Sequence, residues 1–335
     1  MVAEVGALAT GAQPPSERGA VWSRYWAQGA LHSCATSYAG NYGGALAGFW
    51  RGVFDALPAG ARVLDIATGN GALPQLLLQC RAQDPLRIDA VDLAAVDPPW
   101  VHALPAAQRE RLHLHPGVAA EHLPFDDATF DLVVSQYGFE YADAGRAAAE
   151  LRRVLRPGGR VAMVLHHAAS RPATLAADEI AHIDWLCRPD GLLAAGARLL
   201  GPMARAATEA GRRALAADHG ALADRERFNA LQRELSQRLQ EATCPDVLHE
   251  TREALARLFE FAARRGEAAA TAQWHALATH LADSRLRLAE LRACALDEAA
   301  LRSLAACIRP GAKAVFEPLR EADWLMGWSM RIDPV

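Results

Sequence analysis

Along the first half of the chain, five short apolar runs at 62–66, 87–91, 112–115, 130–135 and 160–166 alternate with segments of helical periodicity. Runs this short and this apolar suit strands buried on both faces of a parallel sheet, and their alternation with helices is a doubly wound α/β pattern. The first run is followed by an unusual turn. In "ARVLDIATGNGALP", residues 61–74, the strand ends on Asp65-Ile66, Gly69 and Gly71 flank an asparagine, and a helix begins near 73–78. Glycines there permit a sharp turn and a close approach to the backbone, by a ligand or by tight helix–strand packing.

Beyond Pro172 the pattern changes. Between Met203 and Arg309 there is one proline, Pro245, and Val247 and Ile308 are the only Val or Ile residues. Such a stretch predicts helices, and Leu231, Leu235 and Leu239, like Leu277 and Leu281, recur every four residues on faces that need a partner. Strand character returns at 314–319 and 325–332, which predict an antiparallel hairpin rejoining the sheet. The N-terminal stretch, rich in Trp, Tyr and Gly, reads as short helices over a pocket. The expected organisation is an N-terminal helical lid (1–59), an α/β core (60–171), a helical insertion for substrate recognition or oligomerisation (172–308) and a closing hairpin (309–335).

Composition narrows the class of protein. The 335 residues are 51% hydrophobic and 22% charged, with a formal net charge of -4, so no basic footprint for nucleic acid is present. Lys313 is the sole lysine among 35 basic residues, a bias that looks genomic in origin. The six cysteines lack CxxC or zinc-like spacing, which predicts neither a disulfide framework nor a metal site. No apolar run approaches the length of a membrane span. A cytoplasmic protein acting without nucleic acid or membrane is expected, and its apolar helical faces offer a surface for a homodimer.

Four ordered stretches point to a cofactor. "VLDIATGNGALP", "IDAVDL", "EHLPFDDATFDLVVSQYGFEY" and "RVLRPGGRVAMVLHH", together spanning roughly 60–168, resemble the motifs of class I (Rossmann-like) methyltransferases that use S-adenosylmethionine (SAM). The resemblance implies a Rossmann-like sheet with a C-terminal antiparallel hairpin, interrupted by the large helical insertion. It implies SAM as cofactor and S-adenosylhomocysteine as product. By the same resemblance, Asp65, Ala67, Gly69, Gly71, Asp92, Leu93, Ala120, Glu121, His122, Gln136 and Tyr137 form the cofactor site. Ala67 stands where the family usually has its first glycine, and Ala119 where it often has an aspartate for the adenine amino group.

The residues by themselves agree. Asp92 follows Gly71 by 21 positions at a strand end, where a carboxylate can accept from two ribose hydroxyls. A phosphate-cradling GxGxxG for NAD would need glycine where Pro74 stands, which disfavours a dinucleotide. Methyl transfer to O, N or C of a small molecule, in specialised metabolism, is the leading expectation. Other SAM chemistry, such as transfer or cyclisation of the aminocarboxypropyl group, and a non-catalytic SAM-binding partner module are the alternatives. His166 and His167, at the end of the fifth strand, are the candidate general base, with Glu140 and Tyr141 competing to orient substrate. Tyr25, Trp26, His32, Tyr38, Asn41 and Tyr42 are expected to form an aromatic lid.

Overall fold

A computed structural model describes residues 15–33 and 40–334 of the chain. Helices α1 (Pro15–Trp26) and α2 (Gly44–Asp55) precede β1 (Arg62–Ile66), α3 (Ala72–Cys80), β2 (Arg87–Asp92), α4 (Pro99–His102) and α5 (Ala106–Arg109). Then come β3 (Leu112–Pro116), β4 (Phe130–Gln136), α6 (Ala144–Val154) and β5 (Leu155–Leu165). A helical series follows: α7 (Arg171–Cys187), α8 (Leu192–Arg198), α9 (Leu200–Arg205), α10 (Glu209–Ala216), α11 (His219–Glu241), α12 (Asp246–Arg265), α13 (Glu267–Cys294) and α14 (Glu298–Ile308). The chain closes with β6 (Ala314–Glu321) and β7 (Trp324–Ile332).

The strands form one sheet in the order β3-β2-β1-β4-β5-β7-β6. β1 to β5 pair in parallel, and β7 runs antiparallel to both β5 and β6. The fold is therefore Rossmann-like with a C-terminal antiparallel hairpin, as expected. Between β1 and β4 the chain reverses its direction of travel across the sheet, and the strand ends there form the crevice in which open α/β sheets bind ligands. Val63, Leu64 and Ile66 of β1 are all buried, because helices cover both faces. One face carries α2 and α3, with Leu46, Trp50, Phe54, Leu73 and Leu77 packed on Val63, Leu132 and Val134. The other carries α6 and α14, whose Leu151, Val154, Leu301 and Leu304 meet Leu64, Val133 and Met163. Asp143 caps α6 by accepting from Arg146 N at 2.8 Å, and Asp297 caps α14 through Ala300 N at 2.8 Å.

Two compact units are present. One comprises the described residues up to Ala173 with those from Glu290 onward, and the other spans 174–289. The second is helical and has its own core, including Leu186, Leu192, Phe228, Leu231, Leu235, Leu248, Leu255 and Leu281. The expected insertion of 172–308 is thus too wide at its C-terminal end. α14 belongs to the sheet unit, because without it the second face of β4 and β5 would lose Leu301, Leu304 and Ile308. The expected lid of 1–59 needs a similar correction: α2 is core, with Leu46, Trp50 and Phe54 fully buried against the sheet. β5 starts earlier than 160, since Leu155 pairs with Phe130 before a register break around Gly158 and Gly159, and it ends at Leu165. No described helix is long and apolar enough to cross a membrane.

Candidate active site

The C-terminal ends of β1, β2 and β4 open into a cavity within the sheet unit, lined from below by Ile66, Ala67 and Thr68. Asp92, Leu93, Ala94 and 118–121 line the side toward β2 and β3, and Gln136, Tyr137, Gly138, Tyr141 and Ala142 the side of β4. The wall opposite the sheet comes from α1 and the segment after it: Arg18, Gly19, Trp22, Trp26, Leu31, His32 and Ser33, together with Tyr42.

Two non-glycine residues at this wall have left-handed backbones, Ala67 with φ 58° and Tyr137 with φ 52°. Such conformations cost an L-residue about 1–2 kcal/mol and persist where surrounding structure imposes them. The Ala67 methyl faces Gly138, at which any Cβ would collide with it, so the missing glycine at 67 is matched by a glycine opposite.

Asp92 is buried and lines the cavity, as expected, yet it is already engaged. Its Oδ2 accepts from Gly69 N at 2.7 Å and its Oδ1 from Ala94 N at 2.8 Å. Burial pushes its pKa up to about 6 against these two bonds. A carboxylate offers about four lone-pair positions, so two remain for ligand hydroxyls. Asp65 lies beneath the turn rather than at the cavity wall, 2% exposed, with the Thr68 hydroxyl as the side-chain hydrogen-bonding group acting on its carboxyl. Burial drives its pKa up to about 8; the hydrogen bond from the Thr68 hydroxyl opposes this and the Asp92 charge adds to it.

The glycines behave differently from expectation. Gly69 (φ 55°) and Gly71 (φ 80°) do turn the chain, but neither lines the cavity. A Cβ on Gly69 would lie 2.5 Å from the Trp26 ring, and one on Gly71 would lie 2.8 Å from the Trp100 ring. The space they leave is filled by indoles of this same chain. Between them, Asn70 Nδ2 donates to Trp26 O at 2.9 Å and Ala30 O at 2.7 Å, and Asn70 O accepts from Trp100 Nε1 at 2.7 Å. Sequence reasoning passed over Asn70, and it ties the glycine turn to the segment that closes the cavity.

Of the remaining expected cofactor residues, Ala67, Leu93, Ala120, Glu121, Gln136 and Tyr137 line the cavity, whereas His122 is exposed and outside it. Trp26, His32 and Tyr42 of the expected lid also line it, with His32 stacked on Tyr42 at 4.4 Å. Tyr25 packs edge-on against Trp22 and Trp26 without reaching the cavity. Asn41 instead anchors the chain to α3, donating to Ala72 O at 2.9 Å and Gln75 Oε1 at 3.0 Å. Tyr38 lies outside the described residues. Arg18 and Trp22 were missed, although positions 18, 22 and 26 share one face of a helix, which was the available signal.

The histidine pair lies outside the cavity. β5 ends at Leu165; His166 is buried behind Tyr137, its ring stacked at 4.3 Å, and His167 stacks on Trp328 at 4.3 Å. Neither lines the cavity. Burial lowers the His166 pKa to about 3, which leaves the ring neutral and a weak base near pH 7. His167 Nδ1 accepts from Ala169 N at 2.9 Å. Tyr141 lines the cavity, and burial raises its phenol well above the ordinary value. Glu140 sits behind it, with Oε1 accepting from His166 N at 2.7 Å, Oε2 unpartnered, and burial raising its pKa to about 7.

Comparison with known proteins bears on this unit. Residues 64–163 match the family described as a methyltransferase domain. An uncharacterized methyltransferase of Mycobacterium tuberculosis is 37% identical over 109 residues, covering 32% of this chain and 41% of the relative. The ubiquinone/menaquinone biosynthesis C-methyltransferase UbiE of Geobacter sulfurreducens is 35% identical over 119 residues, 33% of this chain and 44% of the relative. The chain thus spans less than half the length of these curated relatives. Among solved structures, a Burkholderia thailandensis 1,6-didemethyltoxoflavin-N1-methyltransferase with bound 1,6-didemethyltoxoflavin and S-adenosylhomocysteine aligns with 23% identity and a TM-score of 0.37. The alignment covers 48% of this chain and 67% of that one.

Proposed function

We propose that the α/β unit, whose residues 64–163 match the methyltransferase-domain family, is a class I SAM-dependent methyltransferase domain, and from that premise that the protein methylates a small molecule in the cavity at the ends of β1, β2 and β4. The observation that carries the proposal is Asp65, a buried carboxyl behind the cavity floor of Ile66, Ala67 and Thr68, with the neighbouring Thr68 hydroxyl as the side-chain hydrogen-bonding group acting on it. Such a group demands a cation or a bridging water, and the α-ammonium of a methionine tail meets that demand. Asp92 would hold the ribose hydroxyls through its two remaining acceptor positions. Val118, Ala119 and Ala120 would flank the adenine, with no side-chain carboxylate at 119 to receive its amino group.

When bound, SAM supplies a methyl carbon already activated by the sulfonium for in-line displacement. The chain's contribution is then alignment and exclusion of water. Trp22 and Trp26, stacked at 5.8 Å, cover the cavity from α1, and Asn70 donates to the Trp26 carbonyl. His166 and His167 take no part in this proposal as bases, since they stand outside the cavity.

Calorimetric titration tests the cofactor: SAM and S-adenosylhomocysteine bind with equal stoichiometry, and NAD does not bind. Binding of NAD with no response to SAM overturns the proposal. Incubation of SAM-loaded protein with a metabolite extract should yield a product heavier than its precursor by one methyl group. Release of methylthioadenosine in its place would indicate chemistry at another carbon of the sulfonium.

A further inference from the structure

Gln136 is 8% exposed, and its two polar ends are in opposite states. Its Oε1 accepts a short hydrogen bond from Trp50 Nε1, while Nε2 is buried and has no partner. The indole nitrogen only donates, so the amide orientation is determined: oxygen toward Trp50, NH2 away from it. Trp50 is itself fully buried in α2, which holds that orientation. Gln136 lines the cavity, and its buried, unpartnered amide protons are the polar atoms it has not committed.

The position of Gln136 separates it from the side of the cavity assigned to adenosine. In the sheet order β3-β2-β1-β4, Asp92 and residues 118–121 stand on one side of β1 and Gln136 on the other. Around that second side are aromatic groups: Tyr137 and Tyr42 share one apolar cluster with Trp50, and His32 stacks on Tyr42. His32 Nε2 donates to Gly40 O at 2.9 Å, and burial lowers the ring's pKa, so this wall is neutral. Arg18 is the sole Arg or Lys among the described lining residues, and it is committed to Glu290 Oε1 at 2.8 Å and Tyr141 O at 2.7 Å.

We infer that Gln136 is a specificity-determining residue for the methyl acceptor: it selects an uncharged, ring-bearing molecule whose carbonyl oxygen or ring nitrogen accepts from Nε2. The ring lies against Tyr42, His32 and Tyr137. An acceptor without such an atom leaves the buried amide unsatisfied, and a carboxylate finds no free cation at this wall. The inference rests on the methyl-transfer reading of the same cavity.

The test uses the full chain saturated with S-adenosylhomocysteine and three probes in calorimetric titrations. These are 4-quinolone, which is neutral with a carbonyl; indole, which has no acceptor atom; and kynurenate, the anionic 2-carboxylate of 4-quinolone. 4-Quinolone should bind about tenfold more tightly than either of the others. Gln136→Glu keeps an acceptor for Trp50 and replaces the donor with an oxygen. Titrated at saturating S-adenosylhomocysteine, it should erase the 4-quinolone preference. Should that variant fail to melt cooperatively, Trp50→Phe combined with Gln136→Met removes both partners of the buried bond together and carries the same expectation. Equal affinities for 4-quinolone and indole, absence of 4-quinolone binding, or loss of S-adenosylhomocysteine affinity in Gln136→Glu would each overturn the inference. The last would assign the amide to the cofactor. Failure of the unmodified chain to bind S-adenosylhomocysteine at all would instead remove the cofactor reading on which the inference depends.

Discussion

At the scale of single residues, the cavity floor stores strain that can be released. Ala67 at φ 58° sits where glycine would be relaxed, and Ala67→Gly should stabilise the sheet unit by roughly 1 kcal/mol, read as a higher melting temperature. Gly138→Ala should destabilise it, because the new methyl meets that of Ala67. The double variant Ala67→Gly/Gly138→Ala should recover most of the loss; additive effects would show that the two positions do not touch. Asp65 has a pH signature. Its folded-state pKa of about 8 lies above the ordinary carboxyl value, so its contribution to stability is fully present below the unfolded pKa and is lost as pH rises through about 8. Asp92, at about 6, and Glu140, at about 7, act in the same direction. His166, whose folded-state pKa of about 3 lies below the ordinary imidazole value of 6.5, acts in the opposite direction between those two values, so the ligand-free protein should melt at lower temperature as pH rises from about 6.5 to about 8. Pairing Asp65 with the methionine ammonium favours the ionised carboxylate, so affinity for S-adenosylhomocysteine should rise across about pH 6 to 8. Asp65→Asn should flatten that rise. A steep pH dependence surviving in Asp65→Asn would place the titrating group elsewhere.

Helix α1 is the element on which access depends. It lies along the cavity with Arg18, Trp22 and Trp26 on its inner face, and it is held at several points. These include Arg18 to Glu290 and Tyr141 O, Ala95 N to Ser23 Oγ at 2.8 Å, and Asn70 to Trp26 O and Ala30 O. The Asn70 pair is the one that joins the helix to the glycine turn. Asn70→Ala should remove two hydrogen bonds and loosen the segment, accelerating S-adenosylhomocysteine dissociation by about tenfold in stopped-flow tryptophan fluorescence. The association rate should change less. An unchanged dissociation rate would mean that the helix does not gate the cavity. The arrangement was only half legible beforehand. An aromatic-rich N-terminus indicated a cover, but which rings turn inward depended on α1 docking, and α2, equally aromatic, went into the core instead.

For the molecule as a whole, the two compact units divide the work, since every described residue lining the cavity belongs to the sheet unit. Replacing 174–289 with a short Gly/Ser linker should leave cooperative melting and S-adenosylhomocysteine affinity within about threefold, measured by calorimetry. The chain segments flanking the insertion are already tied: Leu296 N donates to His166 O at 2.8 Å and Ala168 N to Leu296 O at 2.9 Å, which brings departing and returning chain together. Loss of cofactor binding in a folded truncation would show that the helical unit completes the site. What the sequence by itself determined is what local pattern encodes. Apolar runs with intervening helices indicated a doubly wound parallel sheet, the break after Pro172 marked the helical series, and the return of β-branched and aromatic residues near 314–332 marked the hairpin. Asp92 was legible for the same reason, because a strand's end is set by its own register. Tertiary structure decided what depends on groups remote in sequence. Trp26 and Trp100 filled the space left by Gly69 and Gly71, and Asp92 bonded the turn from 23 positions away. His166 was turned behind Tyr137, and the amide of Gln136 was oriented by Trp50. Burial and hydrogen-bond partnership are properties of neighbours in space, and no spacing along the chain specifies them.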